Sequence, residues 1–461
     1  MSPEEFRQAA YQHADWIANY LETATDLPVV TTAEPGDLIA KLPASAPEKG
    51  EPIAQIFADF KDTIVPGLTL WNHPRFFGFF STSSPPPSIL AEFLMAALTA
   101  NALLWRAAPA ATELEQVTLS WLRQWLGLPP DFFGIMYDTA SVGVMQAIVA
   151  AREYIDPECR TKGMRPGLIV YVSEHTHNST EKAAIVLGFG RDNIRRIPVD
   201  DCFRMRADLL EQSIKEDIAA GLRPCFIAAS IGSTSTAAIE PVPAIAEIAE
   251  RYKIWLHVDG AYGGCAAVVP EMQHILNGVE RAHSFILNPH KWLYVNFDCS
   301  VLYTRHPDIF RRSASLNAVY LNTVEDPRVV NFNDYGVQLG RRFRALKLWY
   351  VFRTYGREGI VALLRQSLNQ ANLLKQLVES DAAFELAAPV HFSLVCFRRR
   401  ASNEINQRLL AELNATGYAF LSQTVLNGKY TLRFAVGNYM TSDDDIRKTW
   451  RLIQTTALRY N

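Results

Sequence analysis

The chain has 461 residues, 49% of them hydrophobic and 20% charged, with a formal net charge of −3 at pH 7. That composition describes a globular protein of two or three structural units, and its weak negative charge argues against a nucleic-acid partner. The cysteines at 159, 202, 225, 265, 299 and 396 form no CxxC pair, and no histidine cluster has metal-ligand spacing, so a metal site and a disulfide framework are both disfavoured.

The cysteines read as small core residues in a reducing compartment. The N-terminus lacks the basic flank and apolar run of a signal peptide, and no window of about 18 apolar residues exists. The expectation is a cytoplasmic protein without a membrane span. The run Arg398-Arg399-Arg400 reads as a solvated strand end.

The first element is a predicted helix. Ser2, Pro3 and Glu5 supply an N-cap, a first-turn proline and a capping-box acid. Phe6, Ala10, His13, Ile17 and Leu21 recur at helical spacing, giving an apolar stripe that needs its own domain or a second subunit to pack on. Residues 28–52, dotted with proline, read as an extended wrapping segment. The stretch WNHPRFFGFFSTSSPPPSIL at 71–90 concentrates Trp71, Phe76, Phe77, Phe79 and Phe80, which fit either a core or the wall of an aromatic pocket.

From about residue 90 to 360, short apolar runs alternate with helical ones. GLIVYVS (167–173), PCFIAASIGS (224–233), IWLHVD (254–259), SFIL (284–287) and CSVLYT (299–304) are strand candidates, with helices at 177–188 and 241–253. Continuous apolar strands separated by helices indicate a mostly parallel sheet covered on both faces. Beyond 360, a long helix (360–379), strands at 391–399 and 429–437 and a final helix suggest a small α+β domain. The organisation is therefore an N-terminal helical and wrapping segment (1–85), a large domain (86–360) and a small C-terminal domain (361–461).

Functional groups in such sheets gather at the carboxyl ends of the strands. Asp259 follows one strand, with Gly260, Ala261, Gly263 and Gly264 small enough to admit a flat group. Gly232 to Thr236 end a second strand, His175 and His177 a third, and Asn288, His290 and Lys291 a fourth. Thr139, Ala140, Ser141 and Gly143 precede a helix whose free N–H groups suit a phosphate. Lys291 stands in NPHKWLYVNFDCS, where Trp292, Leu293, Tyr294, Val295 and Phe297 favour burial, so its amine needs a special role. A carboxylate for a pyridinium, an amine for an aldehyde, an imidazole for a ring face and a helix start for a phosphate are the partners pyridoxal 5′-phosphate (PLP) requires.

The chain resembles the aromatic-L-amino-acid decarboxylases, PLP enzymes (group II decarboxylases) of the aspartate-aminotransferase fold. NPHKWLYVNFDCS, HVDGAYGG, GRRFRALKLW and PAATELE carry the resemblance, which runs from EEFRQ to LRFAVGN. It implies fold type I, an α/β fold with a mostly parallel seven-stranded sheet, and a homodimer with shared active sites. Lys291 would be the Schiff-base lysine, Asp259 the partner of the pyridine nitrogen, Ala261 a packing residue on the ring and His177 the stacking imidazole, supported by His175. Thr234 would lie near the cofactor, Ala140, Ser141 and Asn288 would take the phosphate, and His290 would orient the substrate carboxylate. Trp71, Phe79, Phe80 and Thr82 would form the substrate wall, with Asn101, Leu103, Leu339 and Gly340 reaching across from a second subunit. Tryptophan, phenylalanine, tyrosine and DOPA all remain open as substrates; positions 101 and 103, and Ser81 in place of a proline, depart from the family pattern.

Residues 318–338 resemble the family's mobile catalytic loop, in which a tyrosine donates the Cα proton. That position falls on Phe332, which has no proton to give. Tyr335 or Tyr320 is the candidate replacement. The expected reaction is decarboxylation to the arylalkylamine and CO2; the alternative is oxygen-dependent formation of an aldehyde, ammonia and peroxide. An aminotransferase would need an arginine clamp, for which Arg433 is a candidate that also fits the decarboxylase pattern. A non-catalytic PLP-binding protein is disfavoured by the presence of Lys291, Asp259 and His177.

Overall fold

The computed structural model describes residues 1–316 and 323–460. The chain divides into two compact units, one of Met1–Ser81, Leu373–Ala387 and Phe397–Asn461, the other of Thr82–Asn372 and Ala388–Cys396. In chain order the strands are β1 (Phe76–Phe77), β2 (Phe133–Tyr137), β3 (Leu168–Ser173), β4 (Ile194–Ile197), β5 (Arg223–Ser230) and β6 (Trp255–Asp259). They continue with β7 (Ser284–Leu287), β8 (Ser300–Thr304), β9 (Phe384–Leu386), β10 (Leu394–Arg399), β11 (Phe420–Leu426) and β12 (Lys429–Ala435).

The second unit is built on a seven-stranded sheet of order β2-β8-β7-β6-β5-β3-β4. Strands β4, β3, β5, β6 and β7 pair in parallel, and β8 runs antiparallel to both β7 and β2. The reversal has a local cause. Parallel neighbours need a long crossover, usually a helix, whereas an antiparallel strand can follow directly. Residues 288–299 return from β7 to β8 without leaving the sheet end, and Lys291 is held on that return. Every residue of β3, β6, β7 and β8 is buried, as a sheet covered on both faces demands. The helix Ala140–Ile155 lays Val144, Ala147, Ile148, Ala150 and Ala151 into the core beside Val170, Phe226 and Ile286.

The first unit carries a five-stranded sheet of order β1-β11-β12-β10-β9. Its β1 comes from the N-terminal region and pairs in parallel with β11, Phe76 opposite Phe420 and Phe77 opposite Leu421. The N-terminal helix Pro3–Thr23 has the expected capping box between Ser2 and Glu5. Its stripe is only partly covered: His13 stacks on Phe57 at 3.9 Å, while Phe6 stays 52% exposed.

Several expectations are corrected. Residues 28–52 are not wholly extended, because Asp37–Lys41 forms a short helix. The expected long helix ending at Glu379 is preceded by another helical stretch from Ala345, the two separated at Gly356, whose φ of 62° and ψ of 179° are not helical. The arginine run is not a uniformly solvated end: Arg398 is buried, donating to the carbonyls of Arg399 and Ala401 and to Asn403. Phe297, expected to be buried behind Lys291, is 59% exposed, while Trp292, Leu293, Tyr294 and Val295 are fully buried. The six cysteines are free, and all but Cys202 are buried. Among the described residues, no helix is long and apolar enough to cross a membrane, and no group of three or more His, Cys, Asp or Glu could hold a metal ion.

Candidate active site

Register places three strand ends side by side: Ser230 of β5 is opposite Asp259 of β6, and Asp259 is opposite Ile286 of β7. Asp259 is 8% exposed, and its Oδ1 accepts the Ala261 N–H at 2.9 Å, which fixes the carboxylate above the strand end. Just past β7, the Asn288 N–H donates to the Ala261 carbonyl at 3.0 Å and Asn288 Oδ1 accepts from Ser300 Oγ at 2.7 Å. The turn that carries Lys291 is thus tied to both the Asp259 segment and β8.

Lys291 is half-buried, with Pro289, His290 and Trp292 buried around it. Its charge reaches His177, His290 and Cys265, which groups these residues around one amine. His290 bridges to Cys299: its N–H donates to the Cys299 carbonyl at 3.2 Å, and its Nδ1 accepts the Cys299 N–H at 2.9 Å. Burial pushes the His290 imidazole down to about 3, and Lys291 acts in the same direction, so this ring is neutral at ordinary pH.

His177 caps the helix Asn178–Val186, its Nδ1 accepting the Ser179 N–H at 3.2 Å and meeting Ser179 Oγ at 2.7 Å. The residue keeps an exposed edge. Desolvation by its surroundings still lowers the imidazole pKa; Asp259 opposes that shift and Lys291 adds to it. His177, His175, Thr234 and Ser235 line a cleft of about 880 Å³ together with Glu174 and Arg196. His175 itself turns edge-on to Phe203 at 5.4 Å, and burial lowers its pKa.

The helix Ala140–Ile155 starts after Thr139, whose side chain makes no capping bond, so the N–H groups of the first turn are open to an anion. Ala140 and Ser141 occupy that turn. Asp138 beside it accepts from Gln338 at 3.0 Å, and Tyr137 donates its hydroxyl to the Tyr335 carbonyl at 2.5 Å. These two bonds join the segment before Arg341 to the helix start.

The glycines after Asp259 are small for a different reason from the expected one. A Cβ at Gly260 would meet Phe285 at 2.6 Å, and one at Gly263 would meet the Ile231 carbonyl at 2.6 Å. The protein's own neighbours press on these positions, and Ala261 is the residue left 9% exposed.

Phe332 is not displayed on an open loop. It is 2% exposed within the main core cluster, packed near Phe133 and Tyr335 and under the Arg341 guanidinium. Tyr335 is half-buried, and burial raises its pKa. Tyr320 lies outside the described residues.

Trp71, Phe79 and Phe80 belong to the first unit. Trp71 stacks on Phe76 at 4.6 Å and on Phe79 at 5.3 Å, both Trp71 and Phe79 keep substantial exposure, and Phe80 lies under Arg433. Thr82, Asn101, Leu103, Leu339 and Gly340 belong to the second. There Asn101 Oδ1 accepts the Arg341 N–H at 2.9 Å, the Leu103 carbonyl accepts the Asn333 N–H at 3.1 Å, and Leu339 is 46% exposed.

Two features escape sequence reasoning. Arg341 and Glu115 form a buried ion pair at 2.8 Å. Glu240, one acid in the apolar run TAAIEPV, is buried at the same strand ends as Asp259, and burial pushes its carboxyl up to about 7. An acid in that apolar run was the available signal.

A buried carboxylate at a strand end, a lysine on the adjoining turn, an imidazole within electrostatic reach of both, and an uncapped helix start suit a flat cationic ring that bears an aldehyde and a phosphate. The chain's residues therefore fit PLP. The family model for the pyridoxal-dependent decarboxylase conserved domain matches residues 35–400. The aromatic-L-amino-acid decarboxylase of Catharanthus roseus is 37% identical over 474 residues, spanning 98% of this chain and 94% of that protein. The phenylacetaldehyde synthase of a Rosa hybrid cultivar is 37% identical over 481 residues, spanning 99% and 94%. The crystal structure of Oryza sativa TDC with PLP and tryptamine superposes with a TM-score of 0.97 at 34% identity, covering 100% of this chain and 99% of that one. The chain belongs to the pyridoxal-dependent decarboxylases and is a PLP-dependent carboxy-lyase of fold type I.

Proposed function

We propose that this enzyme decarboxylates an aromatic L-amino acid, releasing CO2 and the arylalkylamine. The observation that carries the reading is the grouping of Lys291, Asp259 and His177 at one end of the sheet, close enough for their charges to act on one another. Relatives that share this chain's full length include an aromatic-L-amino-acid decarboxylase. The exposed, mutually stacked rings of Trp71 and Phe79 offer aromatic faces suited to an aromatic side chain.

Bound PLP supplies an electron sink for the bond to the departing carboxylate. The chain's residues do the rest. Lys291 Nζ is the amine that would hold the cofactor through its aldehyde. The carboxylate of Asp259, with Oδ1 fixed by the Ala261 N–H, holds the proton on the ring nitrogen. The N–H groups at Ala140 and Ser141, with Asn288, hold the phosphate. His177 would give its ring face, its pKa lowered by desolvation. Ala261 would pack on the ring and Thr234 would border it. His290, neutral and fixed through Cys299, orients the substrate carboxylate without adding charge. Tyr335 is the hydroxyl nearest in sequence to Phe332 and returns the proton to Cα. Asn101, Leu103, Thr82, Leu339 and Gly340 shape the substrate pocket.

A second reading has its own observation. Phe332 carries no proton, and a relative of equal coverage is a phenylacetaldehyde synthase. In that reading O2 and water are consumed, and aldehyde, CO2, ammonia and peroxide are released.

We also read the active form as a cytoplasmic homodimer. Free, mostly buried cysteines fit a reducing compartment. The helix Pro86–Leu98 leaves Leu90, Phe93, Leu94 and Leu98 exposed, an apolar face that a second copy would cover.

Replacing Lys291 by Ala tests the site: turnover and the imine absorbance should both vanish, and near wild-type turnover would overturn the assignment.

A further inference from the structure

Glu240 follows the turn closed by the Ile231–Ile239 bridge, and its side chain is buried at 2% exposure. Its Oε2 accepts the Ser230 N–H at 2.6 Å, while the Glu240 N–H donates to the Ser230 carbonyl at 3.0 Å. Ser230 ends β5 and is the register partner of Asp259. The Glu240 carboxyl is therefore bonded to the residue beside Asp259, and a negative Asp259 disfavours a negative Glu240. Oε1 makes no well-formed hydrogen bond, although the Ser173 hydroxyl and the Met205 amide act on the group and favour its ionised form. A carboxylate with an unsatisfied oxygen is costly in a water-poor site, whereas the protonated acid is tolerated.

We propose that Glu240 is a positioning residue that acts through Asp259 and sets the negative charge available to the cofactor's ring nitrogen. This rests on the reading of Asp259 as that nitrogen's partner. With Glu240 protonated, Asp259 alone serves the ring-nitrogen proton. Ionised Glu240 adds a second negative charge behind Asp259 and tightens the hold on that proton. The groups facing Glu240 are Ser173 from β3, Ser230 from β5, Asp259 from β6 and Met205 from the turn closed by the Val199–Met205 bridge, and of these Asp259 is the one that bears charge. Burial, with Asp259, moves the Glu240 carboxyl to about 7, so this switch operates at neutral pH.

The test is a pH titration of the cofactor's visible absorbance in the holoenzyme, comparing wild type with Glu240→Gln, Ser173→Ala and Asp259→Asn. The wild type should show a spectral step near the Glu240 midpoint. Glu240→Gln should lose it, and Ser173→Ala should move it to higher pH, since a group favouring the ionised form is gone. Infrared titration of wild-type holoenzyme reads the buried carboxyl directly if Glu240→Gln does not fold: a protonated acid band lost around neutrality supports the proposal, and its absence overturns it. A step unchanged in Glu240→Gln, or unmoved in Ser173→Ala, also overturns it. Asp259→Asn separates the two readings. A wild-type spectrum in that variant removes the ring-nitrogen assignment itself. An altered spectrum there, with an unchanged step in Glu240→Gln, removes the Glu240 proposal and leaves the assignment standing.

Discussion

The guanidinium of Arg341 lies 4.6 Å from the centroid of the Phe332 ring and donates to Glu115 Oε1 at 2.8 Å and to the Met136 carbonyl at 2.7 Å. One side chain therefore couples Phe332 to β2, which leads into the helix start at Ala140. Removing one partner of a buried ion pair leaves the other charge stranded. Arg341→Ala should destabilise the fold by about 3–5 kcal/mol in denaturant titration. Arg341→Lys should restore only part of that, because an ammonium lacks the planar fork that serves Glu115, the Met136 carbonyl and, at 3.3 Å, the Ala102 carbonyl together.

The proton donor is tested by exchanging hydroxyls. Tyr335→Phe should lower amine formation roughly 100-fold and raise the peroxide released per CO2. If Tyr335→Phe leaves the amine yield unchanged, the donor lies elsewhere. Phe332→Tyr adds a hydroxyl to an apolar socket, with an expected cost of about 1–3 kcal/mol unless it finds a partner. Under the aldehyde reading, that same variant should convert a peroxide-producing enzyme into an amine-producing one.

Acid should destabilise the protein through its buried histidines. Burial sets His283 and His290 at about 3 and His257 at about 4, against an ordinary 6.5. His283 is stacked between Trp255 at 4.9 Å and His306 at 5.1 Å, with Arg305 opposing its protonation. Depressed histidines bind fewer protons in the folded state, so their contribution is full above the unfolded value of 6.5 and is lost as pH falls toward 3. Thermal unfolding should hold level down to about pH 6.5 and decline steadily from there to roughly pH 4, and His283→Gln should flatten the decline.

Glu240 has the opposite sign. Its folded value is raised from 4.5 to about 7, so its favourable contribution is full below 4.5 and is lost as pH rises through 7. Glutamine cannot ionise and can still accept the Ser230 N–H. Glu240→Gln should therefore raise stability above neutral pH by up to about 3 kcal/mol, and by less at pH near 5, about where the Glu240 carboxyl is still protonated in the fold. A variant less stable than wild type at alkaline pH would contradict this.

Gly232 has φ +88°, and a Cβ there would lie 2.8 Å from the Gly263 backbone nitrogen. Backbone cannot swing aside as a flexible side chain can. Gly232→Ala should cost more than about 1 kcal/mol and weaken cofactor retention, measured by melting temperature and by PLP loss on dialysis.

Much of this architecture is legible in the sequence. The strand at Ser284–Leu287 coincides with its apolar run, and Trp255–Asp259 lies within its own, because strands buried on both faces show unbroken hydrophobic stretches. The edge strand Ile194–Ile197 was missed, since its two arginines look like a loop. So was β2, whose FGIMY run follows directly on a turn. The placement of Lys291, Asp259 and His177 just past or at strand ends was legible because each closes or follows an apolar run. The burial of Phe332 was not, because it depends on Phe133 and Arg341, partners that only folding brings to it.

The most direct test of the central claim is product analysis of the holoenzyme with L-tryptophan, L-phenylalanine, L-tyrosine and L-DOPA, with CO2 and peroxide measured together. Decarboxylation predicts equimolar CO2 and arylalkylamine from at least one of these, without stoichiometric peroxide. Aldehyde and peroxide in amounts equal to the CO2 would contradict it.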